Sequence, residues 1–243
     1  MHKTRIKVSA IVSTYNSSAF IEGCLRNLIA QTMRDHIEII VIDSGSEECE
    51  GEIVASISAE FERVRYIRTA KRETLYAAWN RAIRLASGKY ITNANTDDRS
   101  RKDAYEILSR TLDVNADVAL AYSDLYITDR PNEQYDRIKP HWRNAEVPEY
   151  SQLALLRTCL CGPRPMYRKS VHETIGWYNE DYVSAGDYEF WLRLSERFRM
   201  KRVAEPLSLF YINYGGISMS SGKGAEEVNE ILRKFLAGEF KKP

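Results

Sequence analysis

The sequence predicts a single α/β domain in which helices flank a mostly parallel central sheet, with a small extension at the C-terminus. Short, nearly continuous apolar runs alternate with segments whose apolar residues recur at helical spacing. Polar clusters directly follow several of the apolar runs, and no linker long enough to separate two domains interrupts the chain. A length of 243 residues allows one domain to bury a sizeable core.

The first β-α-β unit begins with an apolar run at residues 10–12 and ends with another at 37–42. Runs of this kind are typical of strands that are covered on both faces. Asn16, Ser17 and Ser18 can cap the start of the intervening helix. The apolar residues at helical spacing in that helix are Ile21, Leu25, Leu28 and Ile29.

The alternation continues with a helix around residues 53–57, a strand at 64–67, a helix at 75–86 and a strand at 89–92. Right-handed crossovers place the carboxyl ends of such strands on one edge of the sheet, where ligands of open α/β folds bind. Three polar clusters are expected on that edge: Ser13-Thr14-Tyr15-Asn16, Asp43-Ser44-Gly45-Ser46 and Asn95-Thr96-Asp97-Asp98.

In the second half of the chain, the sequence predicts a helix at about residues 100–112, a strand at 117–123 and a long polar loop at 129–150. Short helices and strands follow, including a helix with Phe190, Trp191, Leu194 and Phe198 on one face. Residues 215–224 hold four glycines and are expected to be mobile. The C-terminal apolar residues are expected to pack on the domain, with pairing to a second copy or contact with a membrane as alternatives: Ile231, Leu232, Phe235 and Leu236.

Charge and composition exclude several classes of protein. Lys plus Arg number 35 against 34 for Asp plus Glu, so the net charge of +1 gives no indication of nucleic-acid binding.

No apolar run reaches the roughly 20 residues of a membrane span, and the N-terminus does not resemble a signal peptide. We expect a cytoplasmic chain and leave open a peripheral contact with the inner face of the membrane. The sequence does not indicate an oligomeric state.

The cysteines and histidines give no sign of a metal site. Four cysteines are too few and too irregularly spaced for a disulfide scaffold or a zinc ribbon, and we expect free buried thiols. The four histidines also lack the spacing of metal ligands. Any metal is therefore expected to be held by carboxylates.

Asp97 and Asp98 follow a predicted strand and precede a predicted helix. Helix capping is the structural alternative, but Ser100 with Asp103 three residues later would already supply a capping box. We therefore predict that the two carboxylates bind a metal or ligand. Their hard oxygen atoms suit Mg²⁺ or Mn²⁺ bridging a diphosphate.

Two further acidic positions have structural alternatives. Asp43 ends the second strand, where an Asx turn competes with contact to a nucleotide base or ribose. Asp187 opens a helix, and a capping interaction with Ser184 explains its position at least as well as a functional role does. As a functional carboxylate, Asp187 would have a pKa lowered by the helix N-terminus and would stay ionised.

Three cations follow the third strand on the predicted ligand edge. Arg68, Lys71 and Arg72 most simply form a solvated charged surface. A share in holding the phosphate or the base of a nucleotide is the alternative.

Five segments, in matching order and spacing, resemble the motifs of family 2 of the glycosyltransferases, which has the GT-A fold. Together they lie within residues 6–220. The first two are Val8 through Asn16, similar to a strand ending in P-T-Y-N, and Ile39 through Ser46, similar to V-V-D-D-G-S. The others are residues 80–90, similar to R-N-x-G-I-x-x-A-x-G-x-Y, residues 95–98, similar to D-x-D-D, and residues 186–193, similar to E-D-x-(D/E)-x-W-x-R.

The resemblance implies an inverting transferase that moves a sugar from a nucleotide-diphosphate donor, usually a UDP-sugar, to a hydroxyl of a saccharide or lipid-linked acceptor. Asp187 would be the catalytic base, and Asp97 and Asp98 would bind Mn²⁺ or Mg²⁺. The positions assigned to donor binding are Thr14, Tyr15, Asn16, Asp43, Arg72, Asn95 and Asp97.

The resemblance also divides the chain by role. Residues 1–124 would bind the nucleotide sugar, residues 125–220 would bind the acceptor and carry the base, and residues 221–243 would form a C-terminal helix. Residues 162–166 fall in the region that lines the acceptor side in this family. Surface polysaccharide synthesis is the expected setting.

Ser13 replaces the proline of P-T-Y-N, and the sequence also departs from the motifs at three acidic positions. Ser44 replaces the second carboxylate of V-V-D-D, Asn95 replaces the first of D-x-D-D, and Gly186 replaces the glutamate before the base. The last two departures favour the alternative of a non-catalytic module that binds a nucleotide sugar or acts as a scaffold. A nucleotidyltransferase is disfavoured because residues 13–20 contain no glycine for a phosphate-binding loop.

Overall fold

A computed structural model describes residues 5–240 of the chain. The first half contains two helices between parallel strands, and then a third helix and strand. In order, these elements are β1 (Val8–Thr14), α1 (Ser18–Ile29), β2 (Ile37–Asp43), α2 (Glu50–Glu60), β3 (Val64–Arg68), α3 (Leu75–Leu85) and β4 (Tyr90–Asn93).

The second half mixes short strands with helices of varied length. In order, these elements are β5 (Arg99–Ser100), α4 (Ala104–Val114), β6 (Val118–Thr128), β7 (Arg143–Ala145), α5 (Gln152–Arg157), β8 (Met166–Arg168), α6 (Val171–Ile175), α7 (Gly186–Ser195), β9 (Arg199–Tyr211), α8 (Ile217–Ser220) and α9 (Gly224–Leu236).

Within the described residues, all strands join one sheet of nine strands in the order β3-β2-β1-β4-β8-β6-β9-β5, with β7 paired to β6. The strands β1 to β4 are parallel, as predicted. The second half is mixed, because β8 runs antiparallel to β4 and β6 whereas β9 runs parallel to β6. The carboxyl ends of β1, β2 and β4 therefore share one edge.

Both faces of the sheet are covered, which explains the continuous apolar runs. On β1, Ile11 faces the core that contains α3 and α7, whereas Ala10 and Val12 face the core that contains α1, α2 and α4. β2 alternates in the same way, with Ile40 on the first face and Val41 on the second. β1 and β2 therefore each contribute buried side chains to two hydrophobic clusters.

The predicted capping box at Ser100 and Asp103 is wrong. Ser100 belongs to β5 and pairs with Ser208 of β9, and its amide donates to the Asn27 side chain at 2.8 Å. The following helix begins at Ala104, and Asp103 makes no side-chain capping bond to it. Asp103 instead accepts from Arg101 at 2.6 Å. The strand pairing of Ser100 excludes it from a capping role.

The predicted packing of the C-terminal segment holds for most of its apolar residues. In α9, Ile231 is fully buried against the core that contains α7, and Leu232 and Phe235 pack on the same core. Leu236 is 73% exposed. The last residues of this predicted segment, 241–243, lie outside the described part of the chain.

The expectation of free buried thiols is confirmed for Cys24 and Cys161 and is wrong for Cys49 and Cys159, which are exposed. The glycine-rich segment contains α8, a single helical turn. Within residues 5–240, no helix combines the length and the apolar character that crossing a bilayer requires.

Candidate active site

The first two polar clusters meet at the carboxyl ends of β1 and β2. Thr14 is in register with Asp43, and the Ser44 amide donates to the Thr14 carbonyl at 3.0 Å. Asn16 adopts φ of 49° and connects the clusters twice, because its amide donates to Ser46 Oγ at 3.1 Å and its side chain accepts from the Glu47 amide at 2.8 Å. The two loops therefore form one continuous polar wall.

Asp43 lies fully buried at the base of this wall. Its Oδ1 accepts from the Ser46 amide at 2.8 Å, which is the predicted Asx turn, and its Oδ2 accepts from the Tyr66 hydroxyl. Burial alone would raise the pKa of Asp43, but these hydrogen bonds outweigh it and hold the pKa below its usual value. Asp43 is thus ionised and fixes the loop around Ser46.

Tyr15 and Arg72 stand beside this wall in contact with each other. The Arg72 guanidinium lies 4.1 Å from the centroid of the Tyr15 ring, a cation–π arrangement. Arg68 instead donates to the Ser46 carbonyl at 2.5 Å. Arg68, the last residue of β3, therefore supports the loop, and the exposed Arg72 remains available to a ligand.

The third cluster follows β4, and its two acidic residues, Asp97 and Asp98, differ in how far they are buried. Asp97 is half-buried and its Oδ2 accepts from the Asn213 side chain at 2.9 Å. Asp98 is only 1% exposed, and its oxygens accept from the Asn95 side chain and the Tyr211 amide, both at 3.1 Å. Burial and then the charge of Asp97 raise the pKa of Asp98. Asp97 is the carboxylate that a ligand can reach.

Two buried arginines hold the backbone of this acidic loop. Arg164 donates to the carbonyls of Asn95 at 2.8 Å and Asp98 at 2.5 Å. Arg99 donates to the carbonyls of Thr96 and Asp98, both at 2.7 Å. Arg164 falls in the segment expected to line the acceptor side, but its side chain lies behind the acidic loop and is 4% exposed. The sequence predicted no role for Arg99, and for Arg164 it predicted only a place in that acceptor-side segment.

Asp187 lies in the first turn of α7 and is half-buried. The capping alternative is wrong, because the N-cap residue is Ala185 and the Ser184 amide is bound by Glu227. Oδ1 of Asp187 accepts from the Tyr188 amide at 2.9 Å and from the Tyr76 hydroxyl at 3.3 Å.

The pKa expected for Asp187 is also corrected. Burial raises the pKa of Asp187 above its usual value, and the hydrogen bonds from Tyr188 and Tyr76 offset only part of this effect. The sequence predicted a lowered pKa from the helix N-terminus. Loss of water around the carboxylate outweighs the favourable field of the helix.

Two aromatic links join Asp187 to the ligand edge of the sheet. The Tyr76 ring contacts Trp79 edge-on with centroids 5.3 Å apart, and Trp79 Nε1 donates to Ser13 Oγ at 3.2 Å. Tyr76 also stacks on Tyr178 at 5.9 Å, and the Tyr178 hydroxyl accepts from Asn93 at 3.5 Å. Ser13 and Asn93 lie at the carboxyl ends of β1 and β4, so Asp187 is anchored to the edge that carries the polar clusters.

A divalent cation fits this site if the ligand supplies most of its coordination. Within residues 5–240, no three acidic, histidine or cysteine side chains converge on one cation position. Mg²⁺ is commonly bound by one or two carboxylates together with water and substrate phosphates. The half-buried Asp97, with its hard oxygen atoms, meets that requirement for one ligand.

Comparison with known proteins gives a consistent result. Residues 9–176 match the family model described as glycosyl transferase family 2. The chain is similar to chondroitin synthase of Escherichia coli, with 30% identity over 189 residues that cover 78% of this chain and 26% of that protein. The chain thus spans about a quarter of this curated relative.

Two solved structures share the GT-A fold of this chain. S. aureus TarS in complex with UDP-GlcNAc superposes with a TM-score of 0.77 at 19% identity, covering 96% of this chain and 66% of that one. The mannosyltransferase PcManGT from Pyrobaculum calidifontis, in complex with GDP-Man and Mn²⁺, gives a TM-score of 0.72 at 19% identity, covering 98% and 66%.

Proposed function

The chain belongs to glycosyl transferase family 2, and from this premise we propose that it is an inverting, metal-dependent transferase of a sugar from a nucleotide-diphosphate donor. The observation that carries the proposal is the anchoring of Asp187, through Tyr76, to the sheet edge that bears the polar clusters. A base and a donor site on the same edge are what direct displacement requires.

The donor site that we propose lies along the polar wall. In this proposal Tyr15 and Arg72, which contact each other, bind the base and phosphates, and the loop formed by Thr14 and Asn16 lies at the same edge. The buried Asp43 supports this donor site indirectly, because its carboxylate fixes the loop around Ser46. UDP-sugars are the first donors to test, because TarS was solved with UDP-GlcNAc.

The acidic loop would hold the cation through Asp97. Asn95 and Asp98 support this loop, since the Asn95 side-chain amide donates to the buried Asp98 carboxylate. The sequence predicted that both Asp97 and Asp98 bind the metal. We propose that Asp97 alone binds it. A bound Mn²⁺ or Mg²⁺ would offset the negative charge of the departing diphosphate. Support for Mn²⁺ comes from PcManGT, which was solved with that ion.

The proposed base is Oδ2 of Asp187, because Tyr76 and Tyr188 both donate to Oδ1. The acceptor hydroxyl oxygen forms a bond to the anomeric carbon from the side opposite the diphosphate. Its proton passes to Asp187, the bond from the anomeric carbon to the diphosphate breaks, and the configuration inverts. Burial raises the pKa of Asp187, which strengthens the carboxylate as a base.

The acceptor that we propose is a hydroxyl of a saccharide or lipid-linked sugar in surface polysaccharide synthesis. The relative named chondroitin synthase supports a polysaccharide setting. Because the chain spans only 26% of that relative, the identity of the acceptor is a separate proposal from donor binding.

Donor binding is tested by thermal shift with UDP, UDP-GlcNAc and GDP-mannose, each with and without Mn²⁺. Specific binding stabilises the folded state by mass action. We expect stabilisation that depends on Mn²⁺ in the unmodified protein, and loss of the Mn²⁺-dependent part in Asp97→Asn. Asp181→Asn, at an exposed acid, is the control and should behave as the unmodified protein. Absence of a shift with every nucleotide would contradict the proposed donor site.

Catalysis is tested by nucleotide release with Asp187→Asn. Removing a general base lowers turnover by about 10²- to 10⁴-fold. We expect this loss with donor binding retained, because Asp187 acts on the acceptor side. Donor binding without turnover in either protein would instead support the non-catalytic binding module.

A further inference from the structure

Glu227, on the last helix of the chain, binds the segment that leads into α7. Its Oε1 accepts from the Val183 amide at 2.8 Å, and its Oε2 accepts from the amides of Ser184 and Ala185, both at 2.8 Å. The side chain is only 7% exposed. A buried carboxylate that accepts three amides makes strong, charge-assisted hydrogen bonds with fixed geometry.

The position of this carboxylate matters because α7 has no side-chain cap of its own. Its N-cap residue is Ala185, and Asp187 is the second residue of the helix. Glu189, the other acid in the first turn, is bound by Arg193. A negative charge near a helix N-terminus is also favourable to the helix dipole. From another helix, Glu227 therefore fixes the backbone of the N-cap residue and of the two residues before it.

Tyr76 contacts the start of α7 from a different direction. Its ring packs against Gly186, and its hydroxyl donates to Asp187 Oδ1. α9 itself is anchored by the fully buried Ile231. The backbone two residues before Asp187 is thus fixed by Glu227, and the carboxylate by Tyr76.

We propose that Glu227 is a positioning residue for the transferase reaction, which sets the location of Asp187 by holding residues 183–185. This inference rests on the proposed function, because it takes Asp187 as the base. A misplacement of a catalytic group by about 1 Å can cost about 100-fold in rate. We therefore expect Glu227→Gln to lower kcat by about 10- to 100-fold and to leave KM for the donor unchanged.

The charge of Glu227 adds a second effect on Asp187. Burial is the main cause of the raised pKa of Asp187, and the charge of Glu227 raises it further. The titratable groups that face Asp187 come from α3, the segment before β8, the segment before α7 and α9: Tyr76, Cys159, Cys161, Tyr178 and Glu227. Replacing Glu227 by glutamine removes a negative charge, so the acidic limb of the pH–rate profile should move to lower pH.

The structural part of the inference is tested without activity, by amide hydrogen exchange. A glutamine cannot accept with both terminal atoms, so the amides of residues 183–185 should exchange faster in Glu227→Gln. Glu226→Gln, on the exposed side of the same helix, is the matched control and should leave these amides unchanged. Unchanged exchange in Glu227→Gln would overturn the inference. If Glu227→Gln does not fold, the same exchange measurement is made on Glu227→Asp, which keeps the charge.

The kinetic part is tested by nucleotide release from UDP-GlcNAc and GDP-mannose with Mn²⁺. A fall in kcat with unchanged KM, a shifted acidic limb, and partial rescue by Glu227→Asp would support the inference. A kcat and pH profile equal to those of the unmodified protein would overturn it. If the unmodified protein releases no nucleotide from either donor, the proposed function fails for these donors, and hydrogen exchange alone decides whether Glu227 holds α7.

Discussion

Gly186 is the residue at which the chain departs from the family motif directly before the proposed base. A Cβ atom at this position would lie 2.6 Å from Cε2 of the Tyr76 ring, which is closer than real Cβ contacts allow. The same tyrosine donates its hydroxyl to Asp187. The glycine therefore makes room for a ring that orients the carboxylate, and its presence is compatible with catalysis.

We predict that Gly186→Ala is destabilising. The added methyl group must displace a buried ring, and overpacking of this kind costs about 1–3 kcal/mol. Denaturant unfolding measures the loss. Gly215→Ala is the control, since its Cβ would lie 3.5 Å from its nearest neighbour, Asn213 Oδ1, which is an ordinary contact. Equal stabilities for the two variants would show that the Tyr76 ring is not fixed against α7.

Asn95 has a comparable explanation within the acidic loop. Its side-chain amide donates to Oδ2 of the buried Asp98. A carboxylate at position 95 could not donate this bond and would place a third negative charge beside Asp97 and Asp98. Two of the three departures at acidic motif positions are therefore accounted for by contacts of single side chains.

At the scale of helices and strands, the sequence predicted best where apolar residues repeat. The predicted helix at 75–86 is α3, Leu75–Leu85, and the predicted strand at 37–42 lies within β2, Ile37–Asp43. The short strands β5, β7 and β8 were missed because two or three residues carry no periodic signal. Their pairing partners lie far away in the chain, so tertiary contacts rather than local sequence determine them.

In the candidate site, too, the sequence predicted some residues and missed others. Tyr15 and Arg72 were assigned to one site, and the structure places them in contact. Arg99, Arg164 and Glu227 were missed because a charged residue in a sequence usually indicates exposed surface. Burial of these three depends on backbone groups that only the folded chain brings near them.

The C-terminal helix α9 packs into the core through Ile231. We predict that Ile231→Ala lowers the free energy of unfolding by about 2–5 kcal/mol, because a fully buried isoleucine leaves a cavity when truncated. Leu236→Ala, at a residue 73% exposed on the same helix, is the matched control and should have little effect. Thermal and urea unfolding measure both. Similar effects of the two substitutions would mean that α9 does not pack as described.

Acid sensitivity is a property of the whole molecule to which His172 contributes. The imidazole is buried between Trp177 and Phe190, and its nitrogens contact the Gly176 carbonyl and the Tyr167 hydroxyl. Burial lowers the pKa of His172 to about 4. Between pH 6.5 and 4, the unfolded state therefore binds a proton that the folded state does not, and stability falls as the pH falls.

We predict that this histidine accounts for about 2–3 kcal/mol of the stability lost between pH 7 and pH 4.5. His172→Gln cannot titrate, so its urea-unfolding free energy should fall by that much less over the same interval. His36→Gln, at an exposed histidine, should keep the loss seen in the unmodified protein. Equal losses in the two variants would mean that His172 is charged in the folded protein.

Asp97 and Asp187 are proposed to face one donor molecule on the carboxyl edge of the sheet. A crystal structure of the protein with UDP-GlcNAc and Mn²⁺ tests it most directly. We predict Mn²⁺ on Asp97 and the diphosphate, the uridine beside Tyr15 and Arg72, and Asp187 on the side of the anomeric carbon opposite the diphosphate. A nucleotide bound away from this edge, or an Asp187 carboxylate out of reach of an acceptor hydroxyl at that carbon, would contradict the claim.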